Sequence, residues 1–64
     1  MPSSVDSRLA VIADHVDRYR DEVAAIACEP EQARLEDLVR ALYEAERALR
    51  SASRALVLAR TIAR

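Results

Sequence analysis

The chain has no glycine, tryptophan, phenylalanine or lysine, and it contains only one cysteine and two prolines. Without glycine it carries no glycine-rich phosphate-binding loop. Cys28 cannot form a disulfide within one chain, and it belongs to no CxxC pattern, which favours a structural role over a redox role. The sequence leaves open whether Cys28 cross-links two chains or fills a small apolar site.

Long apolar runs are absent too. No stretch approaches the ~18 consecutive apolar residues that a membrane-spanning helix needs. The N-terminus has no basic region followed by a long apolar segment, so no signal peptide is predicted. We therefore expect a cytoplasmic location and no membrane span.

Residue sets that are typical of enzymes are also missing. We find no nucleophile–base pattern and no pair of carboxylates with a defensible catalytic role. The single histidine, His15, stands beside Asp14 and Asp17, but the Glu-x-x-His spacing of di-iron bundles is absent, which favours a surface or seam-edge histidine over a metal site. Asp14, Asp17 and Asp21 are predicted to form an exposed, solvated strip. The sequence thus predicts no catalytic residue, no metal and no cofactor.

The chain does contain helix-forming residues in heptad patterns. Ala, Leu, Arg and Glu dominate, and strand signals are lacking. In the first half, apolar residues recur at alternating spacings of four and three, which is typical of a helix that packs along one side. This pattern predicts a helix over about residues 4–28. Its stripe consists of Val5, Leu9, Ile12, Val16, Tyr19, Val23 and Ile26.

A second stripe follows Pro30. The proline disfavours helical geometry at Glu29 but suits the first turn of a new helix. We therefore predict a turn at about residues 29–30 and a second helix over about residues 31–62. Its stripe, with spacings of three and four, consists of Leu35, Leu38, Leu42, Ala45, Leu49, Ala52, Leu56 and Ala59.

The two stripes predict one all-α domain over residues 1–64, an antiparallel two-helix hairpin. A single kinked helix is the alternative, but the nine residues from Ile26 to Leu35 turn the stripe by about 180°, so a continuous rod would present its two halves on opposite sides. Folding the chain at residues 30 and 31 instead aligns the stripes pair by pair. The predicted seam pairs are Val5–Leu56, Leu9–Ala52, Ile12–Leu49, Val16–Ala45, Tyr19–Leu42, Val23–Leu38 and Ile26–Leu35.

The apolar surface is wider than one seam requires. Val39, Tyr43 and Ile62 lie beside the second stripe, and a chain of 64 residues rarely builds a self-sufficient core. Alanines at positions 45, 48, 52 and 55 would let another helix approach closely. We therefore predict that two hairpins form a homodimeric four-helix bundle.

The charge distribution along the chain is uneven. Residues 1–46 hold all eleven acidic residues and five arginines, whereas residues 47–64 hold five arginines and no acidic residue. The basic end could complement the helix dipole, dock an acidic protein surface or contact nucleic-acid phosphates. Nucleic acid is the least favoured of these three, since the net charge is −1 and no stacking aromatic lies among the arginines. A basic amphipathic end lying on a membrane surface is weaker still, because arginines and apolar residues are not cleanly segregated around Val57 and Leu58.

These observations favour a small, oligomeric, non-enzymatic protein–protein interaction module, such as an adaptor, a regulator or an assembly subunit. The alternative is a nucleic-acid-binding regulator that uses the basic C-terminal half of helix 2. In size and layout the chain resembles the small plasmid-type RNA-binding hairpins that dimerise into four-helix bundles. That resemblance is one of architecture, without a matching motif, and carries no function. The predicted partner-binding residues are Tyr43, Arg47, Arg50, Arg54, Val57 and Leu58.

Overall fold

A computed structural model describes residues 4–31 and 35–64 of the chain. Helix α1 spans Ser4–Ala27 and helix α2 spans Glu36–Ala63. The two helices pack against each other. Their side-chain contacts show that they are antiparallel, since Asp6 near the start of α1 contacts Arg60 near the end of α2, and Asp17 contacts Ser53. The predicted all-α antiparallel hairpin is therefore confirmed.

Helix α1 ends close to its predicted limit, just before Pro30. The Cys28 N–H donates to the carbonyl oxygens of Ala24 and Ala25, both at 3.2 Å, and the Glu29 N–H donates to the Ile26 carbonyl at 3.1 Å. This last turn is tightened because Glu29 precedes a proline, and a residue in that position is disfavoured in helical geometry.

Helix α2 begins at Glu36, later than the predicted start near residue 31. Residues 28–31 form a turn, and the predicted first turn of helix 2 includes residues 32–34, which lie outside the described residues. The first helical hydrogen bond runs from the Val39 N–H to the Leu35 carbonyl, at 2.9 Å. Two acids, Glu36 and Asp37, stand in the first turn, where the helix dipole favours negative charge. The described helix thus begins at an acidic pair that lies later in the chain than the acid after Pro30.

The seam between the helices is defined here as the described helical residues that are buried or half-buried. Its few buried members are Ala13, Ala27 and the acidic Asp6. None of the described large side chains is fully buried. The seam comprises Asp6, Leu9, Ala10, Ala13, Val16, Asp17, Arg20, Val23, Ala24 and Ala27 of α1, with Val39, Leu42, Glu46, Leu49, Ala52, Ser53, Leu56, Ala59, Arg60 and Ala63 of α2.

This seam corrects the predicted one. Leu9, Val16, Val23, Leu42, Leu49, Ala52 and Leu56 are half-buried, but the other predicted members are exposed: Val5, Ile12, Tyr19, Ile26, Leu35, Leu38 and Ala45. On α1 the centre of the seam is turned by nearly one residue, onto Asp6, Ala13, Arg20 and Ala27. Backbones approach most closely where side chains are small, so Ala13 and Ala27 face the partner helix and the larger side chains flank them.

The alignment of the helices also differs from the predicted pairing. Folding at residues 30 and 31 would bring Asp6 beside Ala55 and Asp17 beside Glu44. In the structure Asp6 instead pairs with Arg60, and Asp17 pairs with Ser53. The reason is the longer connection between α1 and α2, which moves the fold point toward the C-terminus.

Candidate functional site

One side of the hairpin is an uncovered apolar face, which we define by ten exposed residues. Helix α1 contributes large side chains at a spacing of seven, and α2 contributes mostly alanines with a large residue at each end of the row. Ile62, at the open end, is 75% exposed. The apolar face consists of Val5, Ile12, Tyr19 and Ile26 of α1 and Leu38, Ala41, Ala45, Ala48, Ala55 and Ile62 of α2.

The position of these residues in the chain explains why both helices contribute to the same side. Each of them immediately precedes a seam residue, as Ile12 precedes Ala13 and Ala48 precedes Leu49. A step of one residue toward the N-terminus of a right-handed helix rotates the side-chain direction by about 100° about the helix axis, always in the same rotational sense. Since the helices are antiparallel, this rotation leads to the same side of the hairpin on both. The hairpin is therefore amphipathic as a unit.

The polar residues of the seam lie toward its other edge. Arg60 Nε donates to Asp6 Oδ1 at 3.0 Å, and the two side chains are only 32% and 10% exposed. The Ser53 hydroxyl donates to Asp17 Oδ1 at 2.6 Å, and both residues are half-buried. Asp17 is therefore not part of an exposed strip as predicted, whereas Asp14 and Asp21 are exposed. The two contacts join α1 to α2 at the open end and near the middle.

The predicted partner-binding residues lie on α2 outside the apolar face, and all are exposed; Leu58, three residues after Ala55 and four before Ile62, borders that face. Tyr43, Arg50 and Val57 each immediately follow a seam leucine. A step toward the C-terminus rotates the side chain in the other sense, so these residues lie on the side of the hairpin opposite to the apolar face. Together with Arg47, Arg54 and Leu58 they form a contiguous surface, which we call the outer face of α2. It is the arginine-bearing side of the hairpin.

Carboxylates neutralise part of the positive charge on α2. Arg50 pairs with Glu46 on the preceding turn, and Arg47 Nη1 lies 3.7 Å from Glu44 Oε1. Arg60, at the basic C-terminal end, is held by Asp6 across the seam. Three of the five arginines in residues 47–64 are thus engaged by carboxylates, which leaves a mixed surface.

The outer face ends in a groove near the interhelical turn. The groove has a volume of about 640 Å³ and is open to solvent. It holds two of the predicted binding residues, the aromatic Tyr43 and the cationic Arg47, next to apolar Ala27 and Val39. Glu36, Arg40 and Glu44 complete the lining. Such a groove can receive an apolar side chain whose neighbours are charged.

Metal-binding geometry is absent from the part of the chain that the structure describes, where no three His, Cys, Asp or Glu side chains converge. His15 is exposed, and its ring centroid lies 6.3 Å from that of Tyr19. The Cys28 thiol is exposed at the turn. Among the described helices, neither combines the length and apolarity required to cross a bilayer.

Sequence reasoning missed the polar seam residues. Asp6 and Arg60 belong to no apolar stripe, so periodicity of apolar residues does not reveal them. One sequence pattern does point to them. The residues three positions before Leu42, Leu49, Leu56 and Ala63 recur at a spacing of seven, and most are polar: Val39, Glu46, Ser53 and Arg60. Polar residues at this spacing are typical of a seam whose alignment is set by specific pairs.

Comparisons of this chain with models of known protein families, with curated proteins and with solved structures find no match.

Proposed function

We propose that this chain is a small, non-enzymatic interaction module that forms a homodimeric four-helix bundle through its apolar face and binds an acidic partner protein through the outer face of α2. The observation that carries the proposal is the separation of the two faces. A second copy on the apolar face would leave the outer face open. The proposal includes a cytoplasmic location and a role as an adaptor, a regulator or an assembly subunit.

The small amount of apolar surface buried in the seam supports the homodimer. Large apolar side chains such as Ile12 and Ile26 are exposed, while the buried apolar residues are two alanines. Burial of one large apolar side chain contributes roughly 1.5–3 kcal/mol, whereas ordering each residue costs about 1.5 kcal/mol. A hairpin that leaves its largest side chains in water gains little, and a second hairpin on the same face would bury them.

The chemistry of the outer face supports a protein partner. Tyr43, Val57 and Leu58 provide exposed apolar area beside Arg47 and Arg54, and aromatic and arginine side chains are enriched among the residues that dominate interface energetics. The groove beside Tyr43 provides a concave site for an anchoring side chain. An acidic partner with apolar residues would satisfy both features.

Nucleic acid is the second candidate, favoured by the five arginines without an acid in residues 47–64. Phosphate binding relies on cations that replace condensed counterions. On this surface Arg47 and Arg50 lie against Glu44 and Glu46, which weakens the positive field. The partial neutralisation favours protein over nucleic acid.

The test of partner binding is a paired variant experiment. The full chain, a double variant Arg47→Gln with Arg54→Gln, and a control double variant Arg8→Gln with Arg18→Gln are each used to capture partners from the native host. The control carries the same charge change on exposed positions of α1. We expect the α2 variant to lose a protein that the wild type and the control retain, with helicity and oligomeric state unchanged.

Nuclease treatment and salt separate the two candidates. A protein partner should persist after nuclease treatment, whereas binding through phosphates should disappear and should weaken steeply with salt. If the α2 variant keeps every partner at wild-type affinity, the outer face is solvated surface and this part of the proposal fails.

A further inference from the structure

We infer that the second copy binds the apolar face with its turn at the same end of the bundle, so that α1 of each chain lies on α2 of the other. The inference rests on the homodimer of the proposed function and specifies its geometry. Two hairpins that meet through the same face can be related by a two-fold axis along the helices or by one across them. The first puts both turns at one end, and the second puts them at opposite ends.

The size of the apolar face fits a second copy. The hairpin measures 50 × 14 × 9 Å, so its broad side has a footprint of roughly 700 Å² before side chains are counted, close to the ~800 Å² per partner of a standard stable interface. The apolar residues run along this whole length, from Val5 and Ile62 at the open end to Ile26 and Leu38 near the turn. A single occupant that covers the whole face must therefore be as long as the hairpin itself.

The shapes of the two rows on this face are complementary. Helix α1 presents large side chains every seven residues, and α2 presents alanines at the same spacing from Ala41 to Ala55, with the large Ile62 at the open end. Large side chains pack into the spaces over small ones, as knobs pack into holes. If α1 lies on the partner's α2, each large row meets an alanine row. If α1 lies on the partner's α1, large side chains face large side chains along one edge and alanines face alanines along the other. The distance between the two hairpins would then differ between the two edges.

The alignment of α1 with α2 within one chain predicts which residues meet across the dimer interface. A two-fold axis along the helices keeps every residue at its own height, so residues level within one chain are also level across the interface. Asp6 lies near the height of Arg60 and Asp17 near that of Ser53, which places Ile12 between the heights of Arg54 and Leu58, within about one turn of Ala55. Continued at a spacing of seven, the cross-chain neighbours within about one turn are Val5–Ile62, Ile12–Ala55, Tyr19–Ala48 and Ile26–Ala41.

This arrangement has a consequence for the outer faces. Both basic C-terminal ends lie at one end of the bundle and both turns lie at the other. The two outer faces of α2 point away from each other on opposite sides of the bundle, in the same orientation along its length. The dimer therefore offers a partner two equivalent surfaces.

The native cysteine makes the arrangement measurable. Cys28 is the only cysteine, and it is exposed at the turn. We attach a nitroxide label to Cys28 of the full chain and measure the distance between the labels of the two copies by pulsed electron spin resonance. With turns at the same end, interaxial spacings of about 10 Å place the labels roughly 20–35 Å apart. With turns at opposite ends, the labels are separated by about the 50 Å length of the hairpin.

A second labelling position provides the control. Ser51→Cys in a Cys28→Ser background places the label on an exposed residue near the middle of the hairpin, where both arrangements bring the labels to a short distance. We expect short distances from both positions. A short distance at Ser51→Cys with one near 50 Å at Cys28 overturns the inference but leaves the homodimer standing. A monomer by light scattering, with no dipolar signal from either position, overturns the homodimer and the inference together.

Discussion

Individual polar residues align the two helices of this hairpin. Apolar stripes with a spacing of seven are tolerant of sliding, because a shift of one heptad restores much of the same packing. The Asp6–Arg60 ion pair and the Asp17–Ser53 hydrogen bond depend on one alignment, since a shift would separate each carboxylate from its partner on α2. An unpaired charge in a partly desolvated seam lowers the free energy of unfolding by several kcal/mol. These two contacts therefore select one alignment.

The ion pair gives the first prediction. We expect Asp6→Ala to lower the free energy of unfolding by about 2 kcal/mol, since it leaves Arg60 partly buried without its carboxylate and removes a negative charge from the first turn of α1. The matched control is Asp14→Ala, which breaks an exposed pair with Arg18 and should cost less than about 1 kcal/mol. Urea denaturation followed by circular dichroism measures both. Equal losses would mean that the seam pair contributes no more than a surface pair.

The hydroxyl in the seam gives a second prediction, with its control two residues away. Ser53→Ala removes the donor to Asp17 and should destabilise the protein by about 1–2 kcal/mol, because a half-buried carboxylate loses a hydrogen bond. Ser51→Ala changes an exposed serine of the same helix and should be nearly neutral. The same denaturation experiment applies. A neutral Ser53→Ala would show that water replaces the hydroxyl at no cost.

At the scale of the helices, the sequence predicts their number, their antiparallel packing and the end of α1. Heptad spacing and Pro30 suffice for these features, because each depends on residues close in the chain. The start of α2 is less predictable, since acids suited to a first turn occur both just after Pro30 and at Glu36 and Asp37. Local signals alone do not choose between them.

The part of α1 that faces α2 could not be predicted from its stripe. The apolar arc of α1 is two rows wide, with Leu9 and Val16 in one row and Ile12 and Tyr19 in the next. A single neighbouring helix covers one row, and which one depends on close approach at Ala13 and Ala27 and on the pairing of Asp6 with Arg60. These are contacts between residues distant in the chain. The exposure of the outer face of α2, by contrast, is what the sequence predicts.

The uncovered row of α1 gives a third prediction. Ile12→Glu should raise the dissociation constant of the homodimer at least about a hundredfold, because each copy would bury an unpaired charge at the interface. The control is Val11→Glu, which introduces the same charge at an exposed apolar neighbour on the outer side of α1. We expect the control to change the constant by less than about threefold. Analytical ultracentrifugation measures both variants. Equal effects would mean that the apolar face is not the dimer interface.

At the scale of the whole molecule, the hairpin is a thin layer rather than a body with an interior. Its 9 Å dimension is about one interaxial spacing of packed helices, so no described residue lies far from solvent. A layer of this kind buries apolar surface on one edge of each helix only. Stacking a second layer on the apolar face would create a central region enclosed by four helices, where Ile12, Tyr19 and Ile26 leave water. Folding and association should therefore occur together.

Coupled folding and association gives the last prediction, a melting temperature that depends on protein concentration. When the folded state is a dimer and the unfolded state is a monomer, mass action stabilises the folded state as concentration rises. For two chains of this size, a roughly hundredfold increase in concentration should raise the melting temperature by about 10 °C. Circular dichroism melts in the micromolar range measure it, and light scattering on the same samples should give a dimer. The Val11→Glu variant should show the same dependence, since its charge stays in solvent. A melting temperature independent of concentration, with a stably folded monomer of 7.1 kDa, would mean that one hairpin is sufficient.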